Sequence, residues 1–436
     1  MKTLILDGSH AGDPQAVNIA NVLRKHLPEA EIITLREQKI GNCAGDFFCC
    51  VRSPGMCNTD DDNRLIATKI VQSDLVIYLT PVTFGGYSSA LKRMVDHQIQ
   101  NISPFFANIH GEIHHQKRYK RYPDFLAIGW MNEPNAQAEA IFRHLVHRNA
   151  INMYARTAVC GLVIGTQSEK DLDSQTGRWL EAIAHGSSSP DPALSTQTFS
   201  LADATPVKRA VLLVGSPRTK KSTSASLGGY LFDQLNARGI ETQTIQIYTA
   251  LNSQERMKSL FESLDNTDLI VLAFPLYVDS LPAPVITVLE RITAHHKENP
   301  RPARFAAIVN CGFPGAQHNE TALAITSEFA RQNSLAWLGG LSLGAGEGIV
   351  HGTPLTELDG RALPIKASLD MAAEALANGK SIPQSAKELL AKPIIPNWAY
   401  TLQGQFGWRI AAKQYGVQNQ LKRQPYRTEK HHDTNI

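Results

Sequence analysis

Residues 73–96, SDLVIYLTPVTFGGYSSALKRMVD, are matched by TDLIVLAFPLYVDSLPAPVITVLE at 267–290. In both, an Asp precedes a continuous apolar run, the run stops at a Pro, and a short loop leads into an amphipathic segment. Apolar runs without polar alternation suit strands buried on both faces of a sheet, with helices as the cover. The match extends backward, since LILDGS (4–9) corresponds to LLVGS (212–216) as a first strand and its exit. This duplication constrains the fold more than any other feature. The chain is built from two copies of one unit, as its 436 residues would require in any case.

The remaining strand candidates are EIITL, DFLAIGW and AVCGLVIG in the first half, and TQTIQI, RFAAIVNCG and LGGLSLGAG in the second. Strands alternating with longer amphipathic segments predict an α/β fold of two doubly wound parallel sheets in the order 2-1-3-4-5, plus a C-terminal extension. The expected boundaries are a first domain over 1–185, a linker over 186–206, a second domain over 207–390 and a tail over 391–436. The linker, GSSSPDPALSTQTFSLADATP, is poor in large apolar residues, and the tail, aromatic first and basic later, belongs to neither copy. From Gly8 to Pro81 the first copy spans 73 residues, against 60 from Gly215 to Pro275, and Cys43, Cys49, Cys50 and Cys57 lie in the longer span.

Net charge of +3 is too small to imply a nucleic-acid partner. No window approaches the ~20 apolar residues of a membrane span, and MKTLILDGSH lacks a signal-peptide core. A cytoplasmic protein without a membrane partner is expected, its clustered cysteines reduced or holding a metal.

The exit of the second copy's first strand, VLLVGSPRTKKSTSAS (211–226), concentrates Ser216, Arg218, Lys221, Ser222, Thr223 and Ser224 where a helix opens. Unpaired N–H groups and the positive end of the helix dipole make such a place an anion site. Hydroxyls and cations added there match a phosphate. The stretch misses the nucleotide-binding P-loop, because Lys220 stands at the second Gly, and it lacks the G-x-G-x-x-G of dinucleotide folds. GAGEG (344–348) reads as a turn. Alone, 215–224 would equally suit a capped helix with a solvated polar face.

A second loop decides between them. PVTFGGYSS (81–89) and PLYVDSLPA (275–283) leave the third strand of each copy, beside the first. Each offers backbone groups and one aromatic, Phe84 or Tyr277, to the edge of a flat ring. A phosphate loop after strand one and a ring loop after strand three describe a flavin mononucleotide (FMN) site.

GSPRTKKSTS resembles the G-S-x-R-x-x-S-x-[ST] loop of the flavodoxin-like NAD(P)H-dependent FMN reductases, and 73–96 resembles that family's ring-loop segment. CAGDFFCCVRSPGMCNTDDD (43–62) is similar to the cysteine segment of its iron–sulfur flavoprotein branch. The resemblance implies two tandem flavodoxin-like units that bind FMN, with NAD(P)H as cosubstrate and a quinone, a flavin or another small molecule as electron acceptor. It also implies a dimer, or a pseudo-dimer of the fused copies. The candidate contacts in the second copy are the six phosphate-loop residues with Pro275, Leu276, Tyr277, Val278, Asn310, Cys311 and Gly312. In the first they are Ser9, Pro81, Val82, Thr83, Phe84 and Gly85, and the backbone N–H groups of 82–86 or 276–280 are expected at the ring. No side-chain acid or base is demanded, so no catalytic residue is assigned.

Three departures qualify the resemblance. The first copy's phosphate loop, GSHAGDPQAV (8–17), places Asp13 where an anion would sit and lacks the Arg and later hydroxyls, so the second copy is the expected phosphate holder. Asp279 enters the second ring loop where a small residue is usual. Asp46 stands at one cysteine position of the iron–sulfur motif, and Cys49 and Cys50, adjacent on extended backbone, would point to opposite sides. Structural or redox-active thiols are therefore expected over a cluster on Cys43, Cys49 and Cys57. Asp60, Asp61 and Asp62 read as acids at a helix start. ANIHGEIHHQKRYKRYP (107–123) gathers His110, His114 and His115 near Glu112, which could hold a metal, but it reads rather as a loop over the first site, its basic end solvated or touching an acidic cosubstrate. Trp398, Tyr400 and Trp408 read as packing anchors, and Lys422, Arg423, Arg427 and Lys430 as an exposed flexible end. Two other functions fit the same residues, an FMN electron carrier that does not turn over NAD(P)H and a flavin-free scaffold.

Overall fold

The computed structural model describes residues 1–194 and 205–427. Most of the linker interior and Lys430 lie outside the described residues.

The first unit runs β1 (Thr3–Asp7), α1 (Pro14–His26), β2 (Glu31–Thr34), α2 (Phe48–Val51), α3 (Asp62–Val71), β3 (Leu75–Pro81), α4 (Ser89–Asp96), β4 (Ile102–Ile109), β5 (Glu112–Lys117), β6 (Asp124–Met131), α5 (Ala136–Asn152), β7 (Ala158–Ile164) and α6 (Glu169–Ala184). Its sheet is parallel, in the order β2-β1-β3-β6-β7, and β4 and β5 form a separate antiparallel hairpin. The second unit runs β8 (Arg209–Val214), α7 (Thr223–Asn236), β9 (Glu241–Gln246), α8 (Ile247–Ala250), α9 (Gln254–Asp265), β10 (Leu269–Pro275), α10 (Ala283–Glu298), β11 (Arg304–Asn310), α11 (Glu320–Gln332), β12 (Ala336–Leu343), α12 (Gly346–Ile349), α13 (Leu363–Ala377) and α14 (Gln384–Ala391). Its sheet, β9-β8-β10-β11-β12, is parallel too. Both sheets follow the flavodoxin-like order, the hairpin being an insertion in the first. A last helix, α15, covers Asn397–Lys413.

The apolar runs form the cores as strands closed on both faces. Ile5, Ile77, Leu79 and Ile128 lie in one cluster and Leu212, Val271, Ala273 and Ile308 in the other, all at most 1% exposed. Caps fix the helix starts, with Asp13 accepting from the N–H groups of Gln15 and Ala16, and Ser222 accepting from that of Ala225. Asp61 caps α3, as its place at a helix start implied.

One contact recurs in both units. At the exit of β1, a Cβ on Gly8 would stand 2.5 Å from Leu91 Cβ, and at the exit of β8, one on Gly215 would stand 2.5 Å from Val285 Cγ2. Each strand exit thus lies flush on the helix that follows the third strand, and glycine is what the space admits.

Contact grouping assigns Met1–Val82, Tyr87–Pro192 and Thr401–Ile436 to the first unit, and Thr83–Gly86 with Ala193–Tyr400 to the second. The tail is therefore shared and not independent of the repeats. Lys422, Arg423 and Arg427 are exposed as expected, but the stretch that carries them is packed into the first unit and not a loose end. Leu421 and Tyr426 are buried, and Arg118 donates to the carbonyls of Leu421 and Arg423 at 3.0 and 2.7 Å. Within the basic stretch Arg118 is buried on tail carbonyls, whereas Lys117, Lys120 and Arg121 are exposed, as expected of a solvated end.

Gly215→Ala should lower the unfolding free energy by about 1–3 kcal/mol through overpacking against Val285. Gly348→Ala, with no atom within 4 Å of its Cβ position, should shift it far less. Urea titration of both variants measures the difference.

Candidate functional site

The carboxyl ends of β8 and β10 meet where the strand order reverses, the ligand position of open α/β sheets. From β8 the chain turns at Ser216–Thr219, where the Thr219 N–H reaches the Ser216 carbonyl at 3.0 Å, and enters α7. Ser222 closes this turn, its hydroxyl donating to the Thr219 carbonyl at 2.7 Å and accepting from the Ala225 N–H at 3.1 Å. Ser224 donates to Asn310 Oδ1 at 2.8 Å in the buried interior. The hydroxyls of both serines are engaged within the scaffold. Ser216 is buried as well, and Lys221 is exposed.

Arg218, half-buried, and Thr223, buried, both meet a carboxylate. Glu347, from the short helix α12, accepts from Arg218 Nη1 at 2.5 Å and from Thr223 Oγ1 at 3.5 Å, and lies 2.8 Å from His351 Nδ1. GAGEG is therefore more than a turn. It lifts an acid onto the anion loop.

Beside this loop, Tyr277 and Ser280 close a tight turn through reciprocal backbone bonds of 2.9 and 3.1 Å, and the Leu276 N–H reaches the Asn310 carbonyl at 2.8 Å. Three of the five N–H groups expected at the ring are thus engaged in the turn and its anchor. Val278 and Asp279 at the tip have φ of 45° and 55°, a left-handed pair that strains a β-branched residue. Among the described residues, Ser280 Oγ is buried without a hydrogen-bond partner. Tyr277 is half-buried and Pro275 ends the strand. Gly312 is exposed, its carbonyl accepting from Tyr400 Oη at 2.9 Å. Burial pushes the Cys311 thiol up to about 12, and it donates to the Phe313 carbonyl.

The first copy repeats this frame with different chemistry, its turn residues grouping with the second unit. Thr83–Gly86 form the same reciprocal turn, with Phe84 and Gly85 at φ 54° and 82°, and the Val82 N–H reaches the Trp130 carbonyl at 2.9 Å. Phe84 does not present a free face to a ring. It is buried edge-on against Phe329, 5.1 Å between centroids. Trp130 lies opposite Pro81 as Asn310 lies opposite Pro275. Its indole N–H donates to Asp13 Oδ2 at 2.9 Å, while Asp13 Oδ1 takes two N–H groups of α1. The N-terminus of α1 therefore carries its own carboxylate. Ser9 Oγ accepts from Arg36, which lies 3.5 Å from Asp7. A cavity of about 180 Å³ here is lined by Asp7, Ser9, Asp13 and Arg36 among others, smaller than the roughly 300 Å³ or more of ligand pockets. These residues do not fit a phosphate.

The cysteine segment is helical at its centre, not extended. Cys49 and Cys50 fall in α2, buried with Val51, Phe105, Ala412 and Leu421. Cys57 Sγ lies 3.5 Å from His97 Nδ1, whose Nε2 faces the Gly41 carbonyl at 2.9 Å. Burial raises the Cys57 thiol, but the hydrogen bond and charge of His97 outweigh it and hold it below the ordinary value. Burial lowers His97, yet Cys57 and the Gly41 carbonyl hold it above its own. Burial pushes Cys43 up to about 12. Among the described residues, the groups of three potential ligand atoms mutually within 4.8 Å include none built from these cysteines.

The expected histidine loop is the β4–β5 hairpin. His114 is buried between Glu112 and Asn152 at 3.2 and 3.0 Å, and burial lowers His115 to about 4. Trp408 packs on Phe47 with centroids 5.6 Å apart, but Trp398 is 74% exposed.

Residues 1–111 and 209–347 match the model of the NADPH-dependent FMN reductase family. Together they exceed half the chain, which belongs to that family. An iron–sulfur flavoprotein of Archaeoglobus fulgidus is 31% identical over 103 residues, 22% of this chain and 48% of that protein. Another, of Methanocaldococcus jannaschii, is 33% identical over 76 residues, 17% of this chain and 38% of that protein. The chain spans half or less of the length of these curated relatives. A solved NAD(P)H:quinone oxidoreductase from Methanothermobacter marburgensis is 13% identical, with a TM-score of 0.30, over 39% of this chain and 96% of that one. An FMN-dependent NADH-azoreductase from Bacillus anthracis is 11% identical, with a TM-score of 0.30, over 39% and 99%. Among the described residues no helix is long and apolar enough to cross a membrane.

Sequence reasoning missed Glu347, Trp130 and His97. Trp130 was findable, since aligning the repeats puts it at the position of Asn310. Glu347 and His97 reach their partners through folding alone.

Ser222→Ala should cost about 1 kcal/mol of stability as a lost cap, read by urea denaturation. With iodoacetamide at pH 7, Cys57 should label at least about tenfold faster than Cys43, because only a group near or below its usual range has appreciable thiolate there. His97→Ala should slow Cys57 labelling, and peptide mass spectrometry distinguishes the two sites.

Proposed function

We propose that the chain is an FMN-dependent oxidoreductase that takes hydride from NADH or NADPH and passes electrons to a quinone, a flavin or another small acceptor. The observation that carries this reading is the pairing, at adjacent strand exits of the second unit, of an anion loop with a tight backbone turn. The donor set fits a phosphate monoester. Arg218 supplies charge, Thr223 a hydroxyl, and the start of α7 its unpaired N–H groups and positive dipole end. That a carboxylate rests on Arg218 and Thr223 supports the loop's preference for anions.

When bound, FMN supplies the hydride and electron chemistry at its ring. The chain's part is to hold and orient. Arg218 and Thr223 would hold the phosphate end, with Ser222 and Ser224 fixing the loop from behind. The turn at 277–280 would meet the ring's polar edge, and the orphaned Ser280 hydroxyl would gain a partner there. The side of Gly312 would remain for the nicotinamide and the acceptor. The first unit, its helix start closed by Asp13, would serve as a scaffold or partner surface without a flavin. Six cysteines held as thiols suit a reducing compartment, the cytoplasm.

The purified protein, or protein incubated with FMN, should show a flavin absorption band that NADH or NADPH bleaches under anaerobic conditions. Arg218→Ala should weaken FMN binding about tenfold or more, whereas Arg36→Ala in the first unit should leave it unchanged. A protein that never takes up FMN would sink the proposal. A flavin that neither nucleotide bleaches would leave an electron carrier.

A further inference from the structure

The acid resting on the anion loop is placed by a dedicated segment. Ala345, at φ 53°, donates to the Phe313 carbonyl at 2.6 Å, and Gly346 donates to the Cys311 carbonyl at 3.0 Å. Gly346 fits closely against the loop, since a Cβ there would stand 3.1 Å from both Asn310 Cβ and Thr223 Cγ2. Gly352, at φ 73°, passes over the Lys221 backbone, where a Cβ would stand 2.7 Å from the carbonyl. Between these two close approaches Glu347 turns inward onto Arg218 and Thr223, with His351 on its outer side. The backbone is fixed on both flanks, while the carboxylate side chain is 34% exposed. It can swing into solvent without moving the chain that carries it.

We infer that Glu347 is an internal competitor for the phosphate of the flavin, and that it sets how strongly the second unit prefers a phosphorylated flavin over an unphosphorylated one. The inference rests on the reading of this loop as an FMN site. A phosphate monoester carries between one and two negative charges near neutral pH. It cannot share Arg218 with a carboxylate at hydrogen-bond distance without strong repulsion. Glu347 must therefore leave, giving up its bonds to Arg218 and Thr223, and that loss is subtracted from the gain of seating the phosphate. Riboflavin, the same ring without the phosphate, displaces nothing. The natural residue thus compresses the difference between the two ligands and favours exchange of FMN over tight retention. Asp13 shows the fixed version of this device. It holds two helix N–H groups and the Trp130 indole, whereas Glu347 is held by side chains alone.

The test measures dissociation constants of FMN and riboflavin by quenching of flavin fluorescence, using the full chain as wild type, Glu347→Gln and Glu347→Ala. Thermal denaturation of each variant establishes that it is folded. Both substitutions should tighten FMN about tenfold or more and move riboflavin less than about twofold. Adding Arg218→Ala to Glu347→Gln should abolish the gain, since the competition is for that guanidinium. FMN binding unchanged or weaker in both variants overturns the role of Glu347 while leaving the FMN site standing. Equal tightening of riboflavin overturns it too, because the effect would then be relief of crowding and not of charge. Failure of all three proteins to bind FMN overturns the flavin reading itself, and this inference with it.

Discussion

The architecture of each unit depends on a missing side chain. At Gly8 and at Gly215 the strand exit lies so close to the following layer that a methyl group would overlap Leu91 or Val285. That approach seats the loop after the first strand against the helix after the third, so the two loops of a flavodoxin-like site come from neighbouring strands at one end of the sheet. The interaction is packing, with no charge in it. It survives in both copies although the polar residues above it have diverged. The frame is older in logic than the chemistry it carries.

Above that frame the two units have solved one electrostatic problem differently. A helix start leaves N–H groups unpaired and favours a negative charge. In the first unit Asp13 provides the charge from within the cap, locked by Trp130. In the second, Ser222 caps with a neutral hydroxyl and leaves Arg218 and Thr223 for an anion that arrives from α12. A carboxylate in the cap cannot be exchanged for a ligand without undoing the helix. One borrowed from elsewhere can. The difference between a helix start closed by its own carboxylate and one whose anion comes from elsewhere is therefore a choice of capping residue.

What the sequence made legible follows the range of the interactions. The sheet orders rest on apolar runs and on the repeat, both local or periodic signals, and the strand exits at Pro81 and Pro275 were visible in the text of the chain. Within the site, the cluster at 216–224 was visible as a composition, but not which hydroxyl meets Glu347 and which are tied into the scaffold. Ser222 and Ser224 look identical to Thr223 in sequence, and only the turn geometry commits the first two to Thr219, Ala225 and Asn310. Phe84 read as a ring-facing aromatic because nothing local announces Phe329. Cys49 and Cys50 read as opposed because the segment between Asp46 and Val51 carries no periodicity long enough to declare a helix. Long-range charge pairs such as Arg218–Glu347 leave no trace at either end.

The return of the tail to the first unit has its own consequence. The cluster around Cys49, Cys50 and Val51 is completed by Ala412 and Leu421, and Arg118 finds acceptors at Leu421 and Arg423. During synthesis, the amino-terminal sheet emerges while the residues that finish its flank are still hundreds of codons from translation. That unit can therefore be completed only after the chain of the other one has been synthesised.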